Sequence, residues 1–195
     1  MSDKSVILID GGYYGAMNRI VRSETGDNID LEKLSQEVCE EFDSEHIRTK
    51  FYHAYPYQSE NPDKDERERY SNRQSFYDAI DNLRNHQFVE VGRVRKEHNR
   101  CKNCGENFQT REQKGADVGI AIDLVDMAHK RISDAFIILA GDEDFTMAAD
   151  LAKDQLCNIY VAFSVHGNMR VSDKLTTEAD DVLNMDMDFL KQCRM

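Results

Sequence analysis

Short, unbroken apolar runs recur along this chain, and each is cut off within a few residues. Val6–Ile9 and Ala135–Ala140 hold no polar residue, which suits strands buried on both faces of a sheet. "IRTKFYHAYP" (Ile47–Pro56) is rich in β-branched and aromatic residues and stops at a proline, and "NIYVAFS" (Asn158–Ser164) reads as a further strand. "FVEVGRVR" (Phe88–Arg95) alternates apolar and polar residues, as a strand with one wet face does. Segments of helical period lie between these runs. Asp30–Phe42 spaces Leu31, Leu34, Val38 and Phe42 for one helix face, with Asp30 as its N-cap. Residues 67–85, 116–131, 145–153 and 177–193 also read as helical. This alternation predicts an α/β fold with a mainly parallel central sheet. A length of 195 residues suits one domain over 1–195, and no linker, internal repeat or low-complexity tract divides it.

Composition narrows the function classes. The net charge of −12 argues against a protein that coats nucleic acid by bulk charge, though not against an enzyme that touches it locally. No stretch approaches the about 20 apolar residues of a membrane span. The N-terminal apolar run is too short for a signal peptide. Five scattered cysteines form no disulfide framework and point to a reducing, cytoplasmic setting.

Two of the buried runs end on acids. Asp10 closes the first, and "LAGDEDFT" (139–146) places Asp142 and Asp144 just past the run at 135–140. In open parallel sheets, sites form where strand carboxyl ends open into a crevice. In the helix at 116–131, Asp117 falls at the same angle as Ala121, Leu124 and Ala128, inside the apolar arc, where an unpaired carboxylate is costly. Asp123 and Asp126 fall on the opposite arc, as solvated surface acids. Asp10, Asp117, Asp142 and Asp144 therefore form a candidate site for Mg²⁺ or Mn²⁺, which prefer hard oxygen ligands. Such a site is able to activate water and to stabilise a phosphodiester displacement. Taken singly, Asp142 and Asp144 read equally well as helix caps; the constellation favours the metal.

At these residues the chain resembles a known family. "VILIDGGYY", "KGADVGIAIDLVDMA", "IILAGDEDF" and "SDKL…EADDVL", in that order, are similar to the successive motifs of NYN domains, which are PIN-like nucleases, and most of all to their LabA-like branch. The resemblance runs from Val6 to about Leu183. It implies a PIN-like, Rossmannoid α/β/α sandwich and metal-dependent hydrolysis of RNA. On it, Asp10, Asp117, Asp142 and Asp144 match the family's acids, and Asp180 matches a looser acidic position near the last helix. Two positions depart from the pattern: Tyr13 stands where Asn is frequent, and Ala140 where Ser is common.

Other features carry weaker signals. Cys101-Lys-Asn-Cys104-Gly, in a knuckle-like insertion at about 98–113, resembles half of a zinc ribbon. The second CxxC is absent; His98 offers a third ligand, and a homo-oligomer sharing one Zn²⁺ site would complete it. A metal-free loop explains the pair equally well. Arg93, Arg95 and Lys96 open a basic stretch that runs to Lys102, and Lys114 follows just before the helix of Asp117. These residues suit phosphate contacts near the crevice, or equally the protection of an edge strand. His53, Tyr55 and Tyr57 suit base stacking, but rim packing is the commoner role. His129 and His166 have no partner at catalytic spacing, and neither a Walker loop nor a nucleophile elbow is present. The reading is a cytoplasmic Mg²⁺- or Mn²⁺-dependent ribonuclease acting on single-stranded RNA, with no membrane partner. The alternatives are a catalytically silent RNA-binding or regulatory module of the same fold, and a nuclease for DNA or small nucleotides.

Overall fold

The computed structural model describes residues 2–100 and 102–195; of Arg93, residues 95–98 and residues 108–114 it describes the backbone alone. The chain opens with strand β1 (Asp3–Asp10), whose Val6, Ile7, Leu8 and Ile9 are at most 1% exposed. Helix α1 (Gly11–Thr25) follows with no loop, then α2 (Leu31–Glu41), β2 (Ser44–His53), α3 (Lys64–Asn82) and β3 (His86–Glu90). A hairpin of β4 (Arg93–Arg100) and β5 (Asn107–Lys114) precedes α4 (Ala116–His129) and β6 (Ala135–Leu139). A 3-10 turn (Glu143–Phe145), α5 (Thr146–Lys153), β7 (Asn158–Phe163), α6 (Asp173–Glu178), β8 (Asp181–Asn184) and α7 (Met187–Gln192) complete it.

Six strands form one sheet in the order β3-β2-β1-β6-β7-β8, and every neighbouring pair is parallel. Parallel neighbours need crossovers, and helices supply them here. Alternate residues of the central strands serve two separate cores. Ile7, Ile9, Ile137 and Leu139 pack with Tyr14, Met17, Val38, Tyr77 and Leu190, from α1, α2, α3 and α7. Val6, Leu8, Phe136 and Ile138 pack with Ile120, Leu124, Ala149 and Leu175, from α4, α5 and α6. The result is the expected α/β/α sandwich. Its strand order reverses between β1 and β6, which opens a crevice outside their carboxyl ends.

Several elements differ from the sequence expectation. The double glycine that ends β1 opens a helix, because Asp10 caps it through the Gly12 and Tyr13 amides. The run Phe88–Arg95 is two strands rather than one, divided at Gly92, whose φ of 69° leaves the extended region. The knuckle-like stretch lies in the β4–β5 hairpin, a separate two-stranded sheet. The expected helix at 177–193 breaks into the end of α6, strand β8 and α7, since β7 offers an edge on which Asp181–Asn184 pair. The N-cap at Asp30 is as expected: its Oδ1 accepts the Lys33 N–H at 3.0 Å.

Candidate active site

Three elements deliver acids to the crevice. Asp10 ends β1, and its Oδ1 accepts the Gly12 N–H at 2.7 Å and the Tyr13 N–H at 3.4 Å. Gly11 is required at this junction. A Cβ there would stand 2.5 Å from the His53 ring and 2.8 Å from the Tyr52 carbonyl oxygen, so α1 starts hard against the end of β2. Across the strand reversal, β6 ends at Leu139 and the chain turns through Gly141. A Cβ on Gly141 would fall on the Arg170 carbonyl oxygen, and the Gly141 carbonyl accepts the Ser172 N–H at 2.9 Å. Asp142 then caps the 3-10 turn, accepting the Asp144 N–H at 3.2 Å. Asp117 stands in the first turn of α4, entered through Gly115 at φ 97°.

The electrostatics tie these acids together. Burial raises the Asp10 carboxyl above its ordinary range against the pull of its two backbone donors, and the Asp142 charge adds to the rise. Asp117, half-buried, is raised by burial and then by the charges of Asp10, Asp142 and Asp144. Asp117 therefore lies within the field of all three. No lysine or arginine pairs with any of the four among the described residues. The cleft beside Asp10 and Asp142 has a volume of about 990 Å³, and Tyr13, Arg19, Asn168 and Arg170 also line it.

The donor set fits a hard divalent cation in chemistry and in charge. Among the described residues no three of His, Cys, Asp and Glu stand close enough, as placed, to share one ion. A small hard cation commonly keeps several waters and takes only one or two carboxylates directly.

Other candidate residues fall elsewhere. Asp180 is not brought to the crevice. It sits at the amino end of β7, accepts the Ile159 N–H at 2.8 Å and lies 3.5 Å from Lys153 Nζ. Asp123, expected as a solvated surface acid, is instead paired with Lys50 and accepts the Tyr52 hydroxyl at 2.9 Å. Asp126 does pair with Lys130 at the surface, at 2.6 Å. Cys104 is exposed and free at the hairpin tip. Cys101 and the side chain of His98 lie outside the described residues, as do the side chains of Arg93, Arg95, Lys96 and Lys114. The backbone sets Arg93 opposite Lys114 and Lys96 opposite Arg111, at the base of the hairpin that leads into α4. Tyr55 stacks on Tyr70 with ring centroids 5.1 Å apart and meets Tyr77 and Phe88 edge-on, so it is rim packing.

The two departures from the family pattern have structural accounts. The Tyr13 hydroxyl donates to the Ser164 carbonyl at 2.9 Å and accepts the Ser164 N–H at 3.0 Å, tying α1 to the end of β7. Ala140 is fully buried in the core beneath α4 and α5. No motif marks Arg19 or Arg170 in the sequence, and the sequence context of His53 suggests only stacking. The unrecognised α1 hid Arg19. His53 sits one residue beyond the β2 partner of Asp10, a proximity that only the strand pairing reveals.

No curated protein matches the chain significantly. No helix among the described residues is long and apolar enough to cross a membrane. The NYN domain model matches residues 4–186, nearly the whole of the sheet and both helical layers around the acidic crevice, and the chain therefore belongs to the NYN domain family of PIN-like nucleases.

Proposed function

We propose that this protein is a ribonuclease of the LabA-like branch, a single NYN domain that cuts single-stranded RNA with Mg²⁺ or Mn²⁺ at Asp10, Asp117, Asp142 and Asp144. The observation that supports the reading is that Asp10 and Asp142 line the cleft at the reversal point of a parallel sheet and their charges reach Asp117, with no lysine or arginine paired to these acids among the described residues. A protein that only binds polyanions gains nothing from such a cluster, because it repels phosphate. Bound there, the cation supplies Lewis-acid polarisation of a phosphoryl oxygen and acidifies water.

The chain's own groups supply the rest. The Gly12 and Tyr13 amides hold Oδ1 of Asp10, and no donor to Oδ2 is present among the described residues, which leaves it to a cation. Asp117, with its carboxyl raised by burial and then by the charges of Asp10, Asp142 and Asp144, is suited to hold a proton at the crevice. Arg19 and Arg170 line the same cleft and suit the phosphates on either side of the cut. Free thiols at Cys39, Cys104, Cys157 and Cys193 accord with a cytoplasmic setting.

The test is cleavage of end-labelled single-stranded RNA and DNA with Mn²⁺, Mg²⁺ or EDTA, with Asp142→Asn beside the wild type. The expected result is metal-dependent RNA cutting that the variant loses. Equal inertness of both proteins while RNA still binds would transfer the assignment to a silent binding module. Cutting of DNA alone would change the substrate, and equal cutting by both would remove Asp142 from the site.

A further inference from the structure

Beside the acidic crevice lies a second cleft, between α1 and α3, of about 630 Å³. Two of its walls are helix faces. Arg69, Arg73 and Phe76 follow one another at the four- and three-residue spacing of a single α3 stripe, and Gly11, Gly15 and Arg19 make the facing stripe on α1. The glycines remove side chains from the α1 wall, and a Cβ on Gly15 would approach nothing nearer than Arg19 at 3.8 Å. The three arginines are exposed and make no ion pair among the described residues, in a chain whose net charge is −12. Unpaired arginines grouped around an apolar wall are chemically suited to phosphate at the rim and a base within. The guanidinium of Arg73 lies 5.9 Å from the Phe76 ring centroid, so one aromatic and one cation already share that wall.

The two clefts are neighbours. Arg19 lines both, and Gly11 of the second follows directly on Asp10 of the first. His53 closes the chain of contacts: its ring abuts Gly11, and it feels the charges of both Asp10 and Arg73. A strand laid from Phe76 across α1 would pass the arginines before it reached the acids.

We propose that the α1–α3 cleft is a nucleotide subsite in which Arg19, Arg69 and Arg73 hold backbone phosphates and Phe76 receives an unpaired base, leading single-stranded RNA to the crevice. The choice of RNA rests on the ribonuclease reading above; the subsite itself rests on the cleft. Selection for a single strand follows from the apolar wall, since a base already stacked and paired in a duplex presents no free face to Phe76.

The experiment measures fluorescence anisotropy of a 5′-fluorescein oligouridine in EDTA, at several salt concentrations, on an Asp142→Asn background. Arg69→Ala combined with Arg73→Ala is expected to weaken binding about tenfold or more at moderate salt. The slope of log affinity against log salt should fall by about 1.4, at roughly 0.7 per lost phosphate contact to a single strand. Arg22→Ala, an exposed arginine on α1 that lines neither cleft, controls for bulk charge and is expected to change little. Unchanged affinity and slope in the double variant would overturn the subsite, as would an equal loss in the control. Equal binding of duplex RNA with the same arginine dependence would overturn the single-strand assignment. Cleavage that depends on Asp142 alongside arginine-independent binding defeats the subsite alone; arginine-dependent binding by a protein that never cuts defeats the ribonuclease reading alone.

Discussion

Asp117 feels the charges of Asp10, Asp142 and Asp144, and the fold carries that cost when no cation is bound. An acid whose carboxyl is raised in the folded state is destabilising at neutral pH, and the penalty is relieved as pH falls through the raised value. Asp117 is raised by burial and by all three of its neighbours. Asp117→Asn should therefore raise the melting temperature in EDTA by roughly 2–4 °C, a modest gain because the side chain is only half-buried and water screens it. RNA cutting should fall to background in the same variant, the usual opposition between stability and function at a charged site. Mg²⁺ or Mn²⁺ should raise the melting temperature of the wild type and raise that of the variant less. A lower melting temperature for the variant in EDTA would mean that Asp117 has a stabilising partner and is no repelled ligand. Gly141 offers a test of backbone geometry instead. Its Cβ would collide with the Arg170 carbonyl oxygen, which is main chain and has no side-chain rotation to escape by. Gly141→Ala is expected to cost about 1–3 kcal/mol in a denaturant titration and to depress cleavage, since Asp142 is the next residue. A variant as stable and active as wild type would show that the 167–172 loop yields freely.

Between elements, the edge of the sheet is locked by a small polar network rather than by apolar packing. Ser35 of α2 receives the Thr49 hydroxyl at 2.9 Å and lies 3.1 Å from His86 Nε2, while His46 Nε2 lies 2.8 Å from Thr49 Oγ1. Burial, helped by His86, lowers His46 to about 4. A histidine lowered in the fold contributes stability in full above its unfolded value near 6.5, and loses it as pH falls from there toward 4. The network joins α2, β2 and β3, so acidification should loosen that edge first. Solvent screening of the partly exposed ring leaves an effect of about 1 kcal/mol, read as a smaller pH 7 to pH 4.5 drop in melting temperature for His46→Asn than for wild type. Equal drops would place the acid sensitivity elsewhere. Which elements were legible in the sequence follows from the same physics. The central strands were, because burial on both faces leaves uninterrupted apolar runs at 6–9 and 135–139. The strand-end positions of Asp10 and Asp142 and the first-turn position of Asp117 were legible, but the pairing of Asp123 was not, because its partner Lys50 is 73 residues away and reaches it only through the packing of α4 on β2. Helix α1 was hidden by Gly11-Gly12, whose glycines serve close approach to β2 rather than chain breaking. Strand β8 has only four residues, half of them polar, and draws its identity from pairing with β7.

At the scale of the whole molecule, the chain holds a six-stranded sandwich and a hairpin that forms a sheet of its own. Among the described residues β4 and β5 pair only with each other, in a two-stranded sheet of their own. The hairpin leaves the sandwich at Gly92 and returns at Gly115, both at positive φ, and a Cβ on Gly115 would lie 3.3 Å from the Gly92 Cα. The two ends therefore already touch, and joining Gly92 to Gly115 removes residues 93–114 without stretching α4 away from β3. Among the described residues both core clusters lie outside that segment, so the shortened protein should keep its far-UV circular dichroism and melt within about 3 °C of the wild type, the equivalent of roughly 1 kcal/mol in a chain of this size. The deleted segment holds seven basic and three acidic residues, which takes the net charge from −12 to −16. Binding of single-stranded RNA should then weaken and lose part of its salt dependence, because phosphate contacts, not bulk charge, hold a polyanion to an acidic protein. Cleavage at saturating RNA should persist, since all four crevice acids remain. A shortened protein that unfolds would make the hairpin part of the cooperative unit. One that folds and binds RNA as tightly as before would move the phosphate contacts off the hairpin and onto the arginines of α1 and α3.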